Sequence, residues 1–214
     1  MSYQSHHISV PRTARYHLLG DRHGADEVWF VLHGYSQLAG SFLRWFEPAA
    51  RPGRLIVAPE ALSRAYFEEP NARRVGASWM TKEGREAEIE DYVRYLDLLA
   101  DEVLGSFPPP PKIEVHGFSQ GAATACRWVA YGRYTVARLA LWGGTIPPDI
   151  DLERLRAHLR DASVVIAVGD RDPFITAESV RNEHARLLGL GLNVDVRHFS
   201  GGHLVDRSTL VAIA

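Results

Sequence analysis

Ser119 lies in KIEVHGFSQGAATA (Lys112 to Ala125), where a short apolar strand leads into GFSQG and then into small residues that open a helix. This is the pattern of a nucleophile elbow, a sharp strand-to-helix turn that exposes a serine hydroxyl. Gly117 and Gly121 suit it, because such a turn leaves no room for side chains two residues either side of the serine, and Ala122 lets the helix approach closely. The helix N-terminus behind Ser119 favours developing negative charge. A serine hydroxyl needs a base, and the base needs a carboxylate to fix its tautomer. In an elbow architecture these partners follow in the order acid, histidine, each on a loop after a later strand. GDRDP after Val164 to Val168 offers Asp170 and Asp172, and SGGH after Val194 to Phe199 offers His203. His198 falls within the strand itself, and His6, His7, His17, His23, His158 and His184 read as bystanders.

Acyl transfer also needs two backbone N–H groups aimed at the oxyanion of the tetrahedral intermediate. Gln120, directly after the nucleophile, supplies one. VWFVLHGYSQ supplies a candidate for the other: a buried strand, then His33 and Gly34 turning the chain so that the Tyr35 amide points into the site. The competing reading makes HG an ordinary turn and His33 a structural histidine. No HExxH motif or paired Cys/His spacing points to a metal. Cys126, the single cysteine, falls at a small-residue packing position behind the elbow and reads as a buried, inert thiol.

Positioning these residues requires alternating strands and helices, and the chain has them. Short apolar runs at Val28 to Leu32, Leu55 to Ala58, Ile113 to His116, Leu139 to Trp142, Val164 to Val168 and Val194 to Phe199 alternate with amphipathic stretches. Such alternation marks an α/β fold with a mostly parallel sheet flanked by helices. His7 to Val10 and Tyr16 to Leu19 are expected to pair as an N-terminal hairpin, giving seven to eight strands. The clearest helix runs from Arg85 to Leu104, with Ile89, Val93, Leu96, Leu99 and Val103 at three- and four-residue spacing, and Pro108 to Pro111 block its continuation. Others follow Gly121 and cover Ser41 to Phe46, Leu152 to Leu159 and Ala177 to Leu188.

The 214 residues, 46% hydrophobic and 23% charged, predict one domain, 1–214, whose core needs no disulfide. A formal net charge of −2 gives no basic field for nucleic acid, and no apolar run approaches the ~20 residues of a membrane span. No secretory signal is legible at the N-terminus, so the expected location is cytoplasmic.

LHGYS, SWM, GFSQG, GDRDP and GGH, in this order and spacing, resemble the phospholipase/carboxylesterase family of α/β-hydrolases, which includes bacterial carboxylesterases, acyl-protein thioesterases and lysophospholipases. The resemblance runs from Val28 to His203. It implies a triad of Ser119, Asp172 and His203, with the aspartate directly before proline chosen over Asp170, and an oxyanion hole of the Tyr35 and Gln120 amides. It further implies a cofactor-free serine carboxylesterase, or a thioesterase or lysophospholipase with the same machinery; a non-catalytic binding protein is the rival of another class. The family continues its HG turn with glycine and aspartate, whereas Ser36 and Gln37 follow Tyr35 here. Trp142 to Ser163 has room for a short helix but no large cap domain, predicting a shallow, open site. The segment Glu60 to Thr81 reads equally as a substrate wall, with Phe67, Trp79 and Met80 along an acyl groove and Arg64, Arg73 and Arg74 toward an anionic headgroup, or as a solvated loop. The expected partner is a small-molecule or lipid-like ester, with a homodimer left open.

Overall fold

The computed structural model describes residues 3–67, 74–105, 107, 109–159 and 161–214. Nine strands are found among them: β1 (Tyr16–Leu19), β2 (Glu27–Leu32), β3 (Arg54–Pro59), β4 (Ser63–Tyr66), β5 (Val75–Ser78), β6 (Lys112–Phe118), β7 (Arg138–Trp142), β8 (Ser163–Gly169) and β9 (Asn193–Phe199). Seven form one sheet in the order β1-β3-β2-β6-β7-β8-β9, parallel throughout except for β1. The helices are α1 (Ala39–Leu43), which runs on into a 3₁₀ turn at Arg44–Ala49, α2 (Arg85–Leu104), α3 (Gln120–Tyr131), α4 (Leu152–His158), α5 (Ala177–Gly189) and α6 (Arg207–Ile213).

The two-residue period of the strands divides the core between two layers. Val28, Phe30 and Leu32 of β2 face Tyr92 and Leu96 of α2 and Ala122 and Trp128 of α3. Trp29 and Val31 face the opposite way, toward Phe42, Phe46 and α6 residues Leu210 and Ile213. β2 and β3 are buried at every position, as strands covered on both faces must be, which is why both read as unbroken apolar runs.

Tyr16–Leu19 is a strand, but the expected hairpin with His7–Val10 does not form. β1 pairs antiparallel with β3, Tyr16 opposite Pro59, while Ile8 and Val10 are 86% and 72% exposed. The open edge of β3 offers a fixed ladder and a buried face, and a four-residue hairpin partner offers neither. β4 and β5 form a small antiparallel pair that the apolar runs did not reveal. Pro108 and Arg73 lie outside the described residues.

Candidate active site

Parallel strands deliver their following loops to one edge of the sheet, and the predicted chemistry gathers on the ends of β2, β6, β7, β8 and β9. After β6 the chain reverses at Ser119, which holds φ +55° and ψ −117°, a conformation a non-glycine residue adopts only when its surroundings enforce it. The enforcement is visible on both sides. A Cβ on Gly117 would lie 2.3 Å from the Gly121 carbonyl oxygen, and one on Gly121 would lie 2.2 Å from that of Leu32. The Ser119 amide donates to Trp142 O at 2.9 Å. Among the described residues its hydroxyl has no hydrogen bond, so it is uncommitted.

His203, delivered by the loop after β9, meets Asp172 from the loop after β8, its Nδ1 2.7 Å from Asp172 Oδ2. The Asp172 side chain is 1% exposed. Its Oδ1 accepts the Phe174 and Ile175 amides at 2.8 and 3.2 Å, so the carboxylate is fixed before it touches the imidazole. Asp170 turns elsewhere: it accepts the Gly201 amide at 2.9 Å and faces Arg171. The turn after β7 brings the serine and histidine loops together. A Cβ on Gly143, itself at φ +54°, would stand 2.8 Å from His203 Nδ1 and Cε1, and one on Gly144 would stand 3.4 Å from Ser119 O. Phe118, the residue before the serine, lays its ring 4.7 Å from the His203 ring, centre to centre.

The loop after β2 is braced from several directions. The Gly34 amide donates to Gln37 Oε1 at 2.7 Å, and the Ser36 amide donates to Ala77 O in β5 at 2.9 Å. The Tyr35 amide between them has no partner among the described residues. Ser36 holds φ +59°, so the serine here adopts a conformation that a glycine takes more easily, while Gln37 supplies a side-chain acceptor to the turn. His33 is fully buried: its Nε2 accepts the Ala61 amide at 3.0 Å and its Nδ1 donates to Gly34 O at 2.7 Å. Burial pushes its pKa down to about 4, against weaker opposing effects of the Gly34 carbonyl and Glu60. His33 is therefore a neutral structural histidine whose bonds set the path of the following residues.

The expected substrate-wall residues separate. Phe67 meets the exposed Tyr35 ring edge-on at 5.0 Å. Met80 is half-buried, its carbonyl accepting from Gln120 Nε2 at 2.8 Å. Trp79 is only 3% exposed, so its ring belongs to the core instead of a groove surface. Its indole N–H donates to His33 O at 2.8 Å and its amide donates to Gln120 Oε1 at 3.0 Å. Trp79 and the Gln120 side chain thus tie the loop after β2 to the elbow, a role that sequence reasoning, concerned with the Gln120 amide alone, missed. Arg64 pairs with the buried Glu60 at 3.0 Å, and Arg74 donates to Ser36 Oγ at 3.0 Å. No group of three or more His, Cys, Asp or Glu among the described residues could hold a metal, and no described helix is long and apolar enough to cross a membrane.

A strained serine between a central strand and a helix, on a mostly parallel sheet without a large cap, defines the α/β-hydrolase class. The sequence matches the dienelactone hydrolase family over residues 34–204. The chain belongs to that family and is a hydrolase of ester bonds, consistent with the phospholipase/carboxylesterase character of its motifs. No curated protein sequence matches it significantly. Among solved structures it is similar to an acyl-protein thioesterase 2 from Zea mays (TM-score 0.71, 18% identity, covering 94% of this chain and 96% of that one). It is also similar to esterase PE8 (0.71, 20%, 94% and 96%) and to a Bacillus cereus carboxylesterase (0.69, 16%, 94% and 91%).

Proposed function

We propose that the protein is a serine carboxylesterase working through Ser119, His203 and Asp172. His203 Nε2 takes the Ser119 proton as Oγ attacks the ester carbonyl, and Asp172 holds the Nδ1–H tautomer and stabilises the imidazolium. The Tyr35 and Gln120 amides receive the oxyanion. Collapse expels the alcohol with the proton from His203, and water activated by the same imidazole releases the acid from Ser119. The observation that carries this reading is the 2.7 Å Asp172–His203 contact beside a serine held at φ +55°.

Ser119→Ala tests it. Hydrolysis of p-nitrophenyl acetate should fall by on the order of 10⁶, as when a triad nucleophile is removed, and fluorophosphonate labelling should vanish with the fold unchanged. EDTA should leave the wild-type rate untouched, because His203 rather than a metal activates the water. Labelling retained by the variant would refute the assignment. The likeness to the maize acyl-protein thioesterase favours thioesters as a second substrate class, which a matched ester and thioester panel would separate.

A further inference from the structure

The surroundings of His203 leave one question of substrate chemistry that the triad does not answer: which part of an ester rests against it. Asp172 occupies Nδ1, and Gly143 lies against the Nδ1 and Cε1 edge. Phe118 and Phe174 set their rings against the imidazole at centre distances of 4.7 and 4.8 Å. The side chain is 17% exposed, and the tautomer that donates Nδ1–H leaves Nε2 as its working atom. Phe118 is buried, whereas Phe174 is 72% exposed. Phe174 is also held in place, since its amide binds the same carboxylate that orients the imidazole.

Resting on the triad read above, the geometry points to a leaving-group subsite formed by Phe174 beside His203 that takes esters of aromatic or arylalkyl alcohols. When the tetrahedral intermediate collapses, the bond between the carbonyl carbon and the alcohol oxygen breaks. That oxygen keeps the bonding pair and takes the proton from His203 Nε2, while the acyl group stays on Ser119 Oγ. The alcohol oxygen must therefore sit within hydrogen-bond reach of Nε2, so its substituent runs along Phe174. The carbonyl oxygen faces the Tyr35 and Gln120 amides, and the acyl chain departs from that side. The exposed Phe174 ring is hydrocarbon and itself offers a polar headgroup no hydrogen bond. A planar ring gains there both area and a favourable edge or offset stack.

The test holds the acyl group at acetate and varies the alcohol among benzyl, 2-phenylethyl, methyl and glyceryl. Phe174→Ala should lower the ratio of kcat/KM for benzyl acetate to that for methyl or glyceryl acetate about tenfold, with Phe174→Leu intermediate. An equal loss on all four alcohols would reduce Phe174 to a buttress for His203 and overturn the subsite. So would a loss that tracks acyl length in a benzyl acetate to benzyl octanoate series. Ser119→Ala run on the same panel keeps the two readings apart: turnover by that variant would indict the triad, whereas its silence with an unselective Phe174→Ala would indict the subsite alone.

Discussion

Asp170 and Asp172 leave the end of β8 two residues apart and turn to different partners, one to the Gly201 amide and the other to His203. Only a carboxylate on Nδ1 can fix the tautomer, so Asp172→Asn should cut kcat by ~10⁴. Asp170→Asn, which keeps an oxygen for Gly201, should cost far less. Steady-state kinetics of the two variants on one ester checks the ranking, and the reverse order would move the role to Asp170. From the residues alone the two aspartates were indistinguishable, because the loop conformation that aims them is set by turns against Phe199 and Gly201 rather than by composition. The aspartate-proline resemblance points to Asp172, and in the structure Asp172 Oδ2 lies 2.7 Å from His203 Nδ1. Ser119 and His203 were legible earlier, since glycines at fixed offsets encode a backbone path directly.

At the level of elements, the six apolar runs and the long helix α2 were readable because burial on both faces, or along one stripe, writes itself into periodicity. β4, β5 and α6 were not. The small pair leans on the Ser36–Ala77 and Gln37–Ala77 backbone bonds, and α6 on an Asp206 cap that accepts the Thr209 amide at 2.8 Å. Both depend on partners remote in sequence or on local capping instead of a long apolar pattern. The Trp79 brace has a consequence for catalysis. Trp79→Phe keeps the ring's apolar bulk but deletes the N–H that holds His33 O, leaving a buried carbonyl short of a donor at a cost of about 1–3 kcal/mol. Because that carbonyl leads directly into the Tyr35 turn, kcat should fall by about tenfold while KM stays within about twofold. Urea denaturation and a kcat-against-KM comparison would check this, and an unchanged kcat would confine Trp79 to a packing role.

For the molecule as a whole, acid sensitivity should begin well above the carboxylate range. His33 is buried with its pKa pushed down to about 4, and His116, buried against Trp29 at 4.2 Å between ring centres, is also lowered by burial in spite of Glu114 at 3.5 Å. In the unfolded chain such imidazoles bind protons from a pH of about 6.5 downward, while the folded protein excludes them. Their contribution is therefore fully present above that pH and is lost as pH falls below it; that of His33, on the order of 3 kcal/mol, goes as pH falls toward 4. The carboxylates of Glu27, Glu60 and Glu114, all lowered in the fold, are stabilising above about 4.5 and give way only below it. Urea midpoints at pH 7.5, 6 and 4.5 should decline across the histidine window, and a flat profile would show that these imidazoles protonate in place. The single thiol adds a different capability. Cys126 is fully buried on α3, about two turns beyond Ser119, and burial raises its pKa well above the ordinary thiol value. A thiol reagent can capture it only when that helix lifts from the sheet, so capture rates time the opening of the helix that begins at the strained serine. The native chain carries an internal stopwatch for the motion of that helix, with no second sulfhydryl to blur the reading.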